Sequence, residues 1–316
     1  MSPLFQRLAL LAVLGIADSA RAQVAASATS SRAEQAQQFN IAPLTQGVQV
    51  QQSGLIPAGM APPSPGDADL GQQVLLKERE KASPFSSFAS LSGFFTNNAA
   101  LTNVNRVSDY FFVGEVGASY QPRISNDLVA EFTVREATFR YAHYGQLDFE
   151  SLNAGCGLTY TSHTLGDVAF SARFNFNMLT DGTVHDVFFK NETLTLAAFR
   201  SFPIKRAQAF YAGISALFSW SQPVDPGRDE FGITAGYHVN WSRSFSTDLF
   251  YRPALFDYPH GRNDWNQTLT LALRWDLTRW LSVTGTLSED FDNSNDHIYN
   301  YQVFNPGVGL IGTITF

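Results

Sequence analysis

Few residues in this chain could carry chemistry, and their spacing decides what they could do. Glu115, Glu131, Arg135, Arg173, Asp248, Arg252, Arg274 and Asp290 all fall on the polar rows of stretches whose alternate residues are largely apolar. Four acids against four arginines allow two uses: pairing across an enclosed space, or a ladder of charge for a polar solute. His238, Asn240 and Ser242 share another such row. Residues two apart on a strand hold their side chains roughly 7 Å apart, too far for a hydrogen-bonded nucleophile and base. Polar lining is therefore the role expected of His238. His143, His163, His185, His260 and His297 are scattered without metal-ligand spacing. Asp292, Ser294 and Asp296 have the spacing of a calcium loop, but its central glycine and distal glutamate are absent. No glycine loop for phosphate and no nucleotide fingerprint occurs, so neither a cofactor nor an enzymatic activity is expected.

The elements that must position these residues follow from a period of two. In "DVAFSARFNFNML", Val168, Phe170, Ala172, Phe174, Phe176 and Met178 alternate with Ala169, Ser171, Arg173, Asn175 and Asn177. "FYAGISALFSW", "FGITAGYHVNW" and "NQTLTLALRW" repeat the pattern, which is that of strands with one greasy and one wet face. About twelve such strands are expected, near 84–97, 108–121, 128–142, 147–161, 167–179, 188–201, 207–221, 230–241, 246–257, 265–276, 280–291 and 300–316. In the third, Phe139 and Tyr141 fall out of phase with Leu128 to Val134, which predicts a bulge. Short links, such as Ser125-Asn126-Asp127, Ser242-Arg243-Ser244 and Pro203 to Arg206, alternate with mostly longer polar loops, such as "SQPVDPGRDE" and "EDFDNSNDHIYN". That asymmetry belongs to transmembrane barrels, and an even strand count returns both ends of the barrel to the short-turn side.

Composition agrees. Aromatic residues make up 14% of the 316 residues and charged residues only 16%, well under the usual quarter for soluble domains. The net charge of −7 argues against a nucleic-acid partner, which would want a basic face. Residues 1–22 combine Arg7, an apolar run from Leu8 to Ala17 and the small-x-small site Ala20-Arg21-Ala22, a secretory signal about half as long as a spanning helix needs. Residues 23–82 are rich in Ala, Gln, Ser and Pro and read as a flexible periplasmic linker, with a short helix expected over 70–81. Residues 83–316 are the barrel. The single cysteine, Cys156, lies far from the cleavage site and excludes a lipoprotein anchor there.

A soluble sandwich or barrel also alternates, yet two features argue against it. Tyr110, Tyr120, Tyr160, Trp220, Trp241, Trp275 and Phe316 collect at strand ends on the apolar face, as an interfacial girdle demands. The opposite face carries Asn, Thr, Ser and Arg throughout, too polar for a core. "GVGLIGTITF" then supplies a final row of Val308, Leu310, Gly312, Ile314 and Phe316 toward lipid.

On the signal segment, the strand pattern and the terminal "ITF", the chain resembles Gram-negative outer-membrane β-barrel proteins over about residues 84–316. The resemblance implies residence in the outer membrane and reading of Phe316 by the barrel-assembly machinery. It assigns no activity. The expectation is a porin-like channel for passive diffusion of small polar solutes. The alternatives are a non-conducting barrel serving as anchor or surface-binding protein and, more distantly, an outer-membrane hydrolase.

Overall fold

The computed structural model describes Arg32, Ala33, Ala36 and residues 84–205 and 207–316. Signal segment 1–22, the rest of the linker and the helix expected over 70–81 lie outside the described residues. Twelve strands follow one another: β1 (Phe85–Thr96), β2 (Asp109–Tyr120), β3 (Leu128–Tyr141), β4 (Phe149–Ser162), β5 (Val168–Asp181), β6 (Val187–Lys205), β7 (Gln208–Gln222), β8 (Asp229–Asn240), β9 (Phe245–Asp257), β10 (Asn263–Asp276), β11 (Leu281–Ser294) and β12 (Tyr301–Thr315).

Each strand pairs antiparallel with its neighbours in sequence, and β1 pairs with β12, so the sheet closes into a barrel. Closure leaves no edge of unpaired amides and carbonyls, the condition for a sheet in hydrocarbon. No helix among the described residues is long and apolar enough to cross a membrane.

The alternation in sequence becomes two surfaces. Val116, Leu158, Ile214, Ile233, Leu269 and Val308 are exposed on the outside, whereas polar residues such as Asn153, Asn177, Asn191, Asp248, Asn266 and Asp290 are buried. An apolar exterior of this extent would drive aggregation in water, so the barrel is inside out relative to a soluble one. Tyr110 and Trp220 stand exposed near one rim, and Tyr120, Tyr160, Trp241, Trp275 and Phe316 near the other. Trp265 and Trp280 join these rims. Cys156 is exposed on the outer face.

Three details differ from the expected pattern. The β3 ladder runs without a shift against both β2 and β4, and Phe139 and Tyr141 point inward and are buried; an aromatic lumen wall, not a bulge, explains their phase. Strand β6 continues through Pro203, where a turn was expected, because the register shifts between Pro203 and Lys205 and a proline is tolerated at such an irregularity. Two long loops are shorter than expected, since β11 runs on to Ser294 and β10 begins already at Asn263. There both faces are polar, so the period of two is hard to see.

Aromatic rings set the spacing of the inner wall near the long-loop rim. Phe139 and Phe149 stack at 4.2 Å, and Phe94 and Tyr141 flank Phe111 at 5.1 Å each. Such pairs contribute about 0.5–1.5 kcal/mol each beyond burial.

Candidate functional site: the lumen wall

The lumen has two unlike sides. Along β2 to β6, toward the long-loop rim, Phe111, Val113, Phe139, Tyr141, Phe149, Leu179 and Phe189 form one buried apolar cluster with Leu147. These residues alternate with outward ones on their strands, so the wall is a product of the same period of two. Toward the other rim this side turns polar. Arg135 Nε lies 3.3 Å from Glu115 Oε1, and Arg173 Nη2 donates to Glu131 Oε2. These pairs join β3 to β2 and to β5.

Strands β8 to β11 form the second, charged side. Glu230 accepts from Arg228 Nε at 2.9 Å and from Arg252 Nη2 at 2.7 Å, and all three side chains are nearly inaccessible. Arg228 also lies 3.8 Å over the Phe256 ring and donates from Nη1 to Tyr258 Oη at 2.9 Å. Above it, Arg262 pairs with Asp264 and is held between the Tyr258 and Tyr299 rings at 3.8 and 3.9 Å. Asp290 accepts from Thr268 Oγ1 at 2.5 Å, and Asp292 from Asn266 Nδ2 at 3.1 Å. His238 Nδ1 is 2.9 Å from Asp248 Oδ1. At the short-turn rim Arg274 reaches Asp276 Oδ1 at 2.8 Å and Ser282 Oγ at 2.9 Å.

Each of the nine residues singled out above has a salt-bridge or hydrogen-bond partner. Ion pairs removed from bulk water are retained only where the geometry offsets desolvation, and the guanidinium and carboxylate partners here do so through direct hydrogen bonds. Paired charges in this arrangement can bind and steer a polar solute. Ser242 Oγ accepts from the Ser244 and Phe245 amides in the β8–β9 turn, while His238 serves Asp248, so the three-residue row holds no assembled triad. The calcium-like row is used locally as well: Ser294 Oγ accepts from Asp296 N and Asp296 Oδ1 from Ile298 N. No group of three or more His, Cys, Asp or Glu suited to a metal occurs among the described residues.

Sequence reasoning missed several members of the wall. Glu230 continues the row of Gly232, Thr234, Gly236 and His238, so alternation was enough to find it. Arg228 and Arg262 precede their strands, where no alternation exists to read. Within the stretch that reads as linker, Arg32, Ala33 and Ala36 are helical and buried, the two alanines in one cluster with the aromatic side. At these three positions the chain is part of the barrel's interior.

Fold and wall together define a class, the closed twelve-stranded antiparallel barrel of the outer-membrane type. Solved structures carry the same likeness. An outer-membrane channel of Pseudomonas putida F1 is similar at a TM-score of 0.54 and 10% identity, over 80% of this chain and 100% of that one. The KdgM porin in complex with disordered oligogalacturonate follows at 0.41 and 8%, over 71% and 98%. The β domain of the Bordetella autotransporter BrkA gives 0.43 and 9%, over 73% and 99%. At these identities the likeness is one of fold. No protein-family model and no curated protein matches the chain.

Proposed function

We propose that this barrel spans a Gram-negative outer membrane, with its short-turn rim toward the periplasm, and forms a channel for small polar solutes with weak ion selectivity. The observation that carries the reading is the pairing of charge along the lumen: Arg252 with Glu230, Arg135 with Glu115, Arg173 with Glu131, and His238 with Asp248. Paired walls present dipoles to a passing solute but little net field, whereas strong selectivity needs an excess of one sign. A twelve-strand barrel is also wider than the eight-strand kind that its own side chains fill. The same reading includes recognition of the β12 end, with Phe316, by the barrel-assembly machinery.

Single-channel recording under a salt gradient tests this reading. Discrete steps with a reversal potential near zero support it. A barrel shown to be folded that stays silent points to the second reading, a non-conducting anchor. The specific observation favouring that alternative is the seat taken by Arg32, Ala33 and Ala36 inside the wall.

A further inference from the structure

The two rims use charge differently. At the long-loop rim Arg140, Arg228 and Arg262 each have a carboxylate partner, and exposed Asp186, Glu192, Asp257 and Asp296 accompany exposed Arg106 and Lys190. At the short-turn rim the carboxylates are the engaged members: His163 takes Asp127 and Asp167, and Arg274 takes Asp276. There Arg123, Arg200, Lys205, Arg243 and Arg279 are exposed, with no carboxylate at ion-pair distance among the described residues. Arg200 lies on the outward row of β6, between Leu196 and Phe202, which are both exposed. Its guanidinium stands 4.8 Å over the Phe202 ring and rests against the β4–β5 turn, where a Cβ on Gly166 would come within 2.5 Å of Nη2. A guanidinium on a lipid-facing row is costly unless its head reaches the interface, and this one is held there without an acid. Farther round the rim, Trp241, Trp275 and Trp280 are exposed, with Arg243 and Arg279 in the adjoining turns. Phe245 of β9 pairs with Trp275 of β10, so those two turns are neighbours. Tryptophan settles at headgroup level, which puts both guanidiniums at the depth of lipid phosphates. Exposed Ile124 and Ile204 adjoin Arg123 and Lys205; an apolar neighbour beside each cation suits an acyl chain better than an acidic protein surface.

We propose that the short-turn rim is a binding surface for anionic phospholipid headgroups. Arg123, Arg200, Lys205, Arg243 and Arg279 receive the phosphates, and the aromatic and aliphatic side chains beside them pack on the upper acyl chains. Cations without carboxylates favour a lipid of net negative charge, because a zwitterionic headgroup brings its own ammonium to the same surface. Lipid bound in this way fixes the depth and tilt of the barrel in that leaflet. The inference rests on the membrane location in the reading above and not on conduction.

The test uses the full-length chain folded in phosphatidylcholine liposomes, with Trp220→Phe and Trp265→Phe so that emission comes from the three short-turn tryptophans. The probes are phosphatidylglycerol and phosphatidylcholine brominated in the upper acyl chain, each at the same small mole fraction. Brominated phosphatidylglycerol is expected to quench as though enriched about fivefold at the rim, and added salt should reduce that enrichment. Arg243→Gln with Arg279→Gln, next to Trp241 and Trp280 in the chain, should remove most of it, whereas Arg243→Lys with Arg279→Lys should keep it. Arg106→Gln, at the other rim, should leave it unchanged. Heat-modifiable migration establishes that each variant is folded. Equal quenching by the two probes overturns the inference, and so does an enrichment that survives the glutamine pair. Quenching by neither probe takes these tryptophans out of the bilayer and defeats the membrane location itself.

Discussion

Phe316 and Phe85 close the barrel together: the Phe316 amide donates to the Phe85 carbonyl at 2.9 Å, and their rings lie 5.7 Å apart. The contact extends the β1–β12 ladder beyond its last pair, Ser86 with Thr315. It joins residues far apart in sequence, so its loop-closure cost is offset by the strands that bring the two ends together. Phe316 is also exposed on the outer face, where a ring suits the membrane interface.

Deleting Phe316 should therefore lower the yield of closed barrel. The measurement is the fraction of heat-modifiable protein in outer membranes, which is expected to fall several-fold, with Phe316→Tyr retaining most of it. Wild-type amounts in the deletion variant would remove Phe316 from any role in closure or assembly.

Glu230 is the hub of the charged wall, and its two arginines depend on it. Arg252→Ala leaves the hub with Arg228 alone, and Glu230→Ala leaves two buried cations without their carboxylate. Breaking a buried pair from one side costs about 3–5 kcal/mol, so Glu230→Ala should shift the urea midpoint of unfolding in detergent more than Arg252→Ala does. Replacing Glu230 and Arg252 together by leucine and methionine should cost less than Glu230→Ala alone. Equal losses in all three would show that the wall is solvated and its pairs are energetically minor.

His163 bridges two turns of the short-turn rim, with Nδ1 2.5 Å from Asp167 Oδ1 and Nε2 3.3 Å from Asp127 Oδ1. Hydrogen bonding to Asp167, with the charge of Asp127 in support, raises its pKa above the ordinary imidazole value. A raised folded-state pKa contributes stability that is fully present below the unfolded value and is lost as pH rises through the folded one. The imidazole proton signal should titrate above an ordinary histidine's, and Asp167→Asn should bring the midpoint down. An unchanged midpoint in that variant would remove Asp167 as the cause.

Gly236 lies under the Tyr211 ring, so that a Cβ there would overlap the ring's outer atoms. Tyr211 is buried, and its ring lies 5.5 Å from that of Phe199, which limits where it can move. Gly236→Ala is expected to destabilise by about 1–3 kcal/mol, the usual cost of overpacking. Adding Tyr211→Ala should recover part of that loss; no recovery would place the strain elsewhere.

Much of this was legible in the order of residues, because a lipid-facing strand and its lumen face differ at every second position. The row Val308, Leu310, Gly312, Ile314 and Phe316 needed no more than that. The method fails where both faces share a character. Phe139 and Tyr141 looked displaced only because inward positions were expected to be polar, and the extra length of β11 is hidden among acids and asparagines on both faces. Arg32 was beyond reach for another reason. Its partner Asp181 is 149 residues away, and a low-complexity segment carries no periodicity to say that two of its alanines face aromatic rings. Local pattern predicts which face a residue takes, but not which distant surface meets it.

The channel reading is tested most directly by planar-bilayer recording of the folded full-length protein under a tenfold salt gradient. Discrete steps with a reversal potential near zero are expected. Silence, with folding established by heat-modifiability, would contradict the channel. A strongly shifted reversal potential would contradict the balanced wall of Glu115, Glu131, Arg135, Arg173, Glu230 and Arg252.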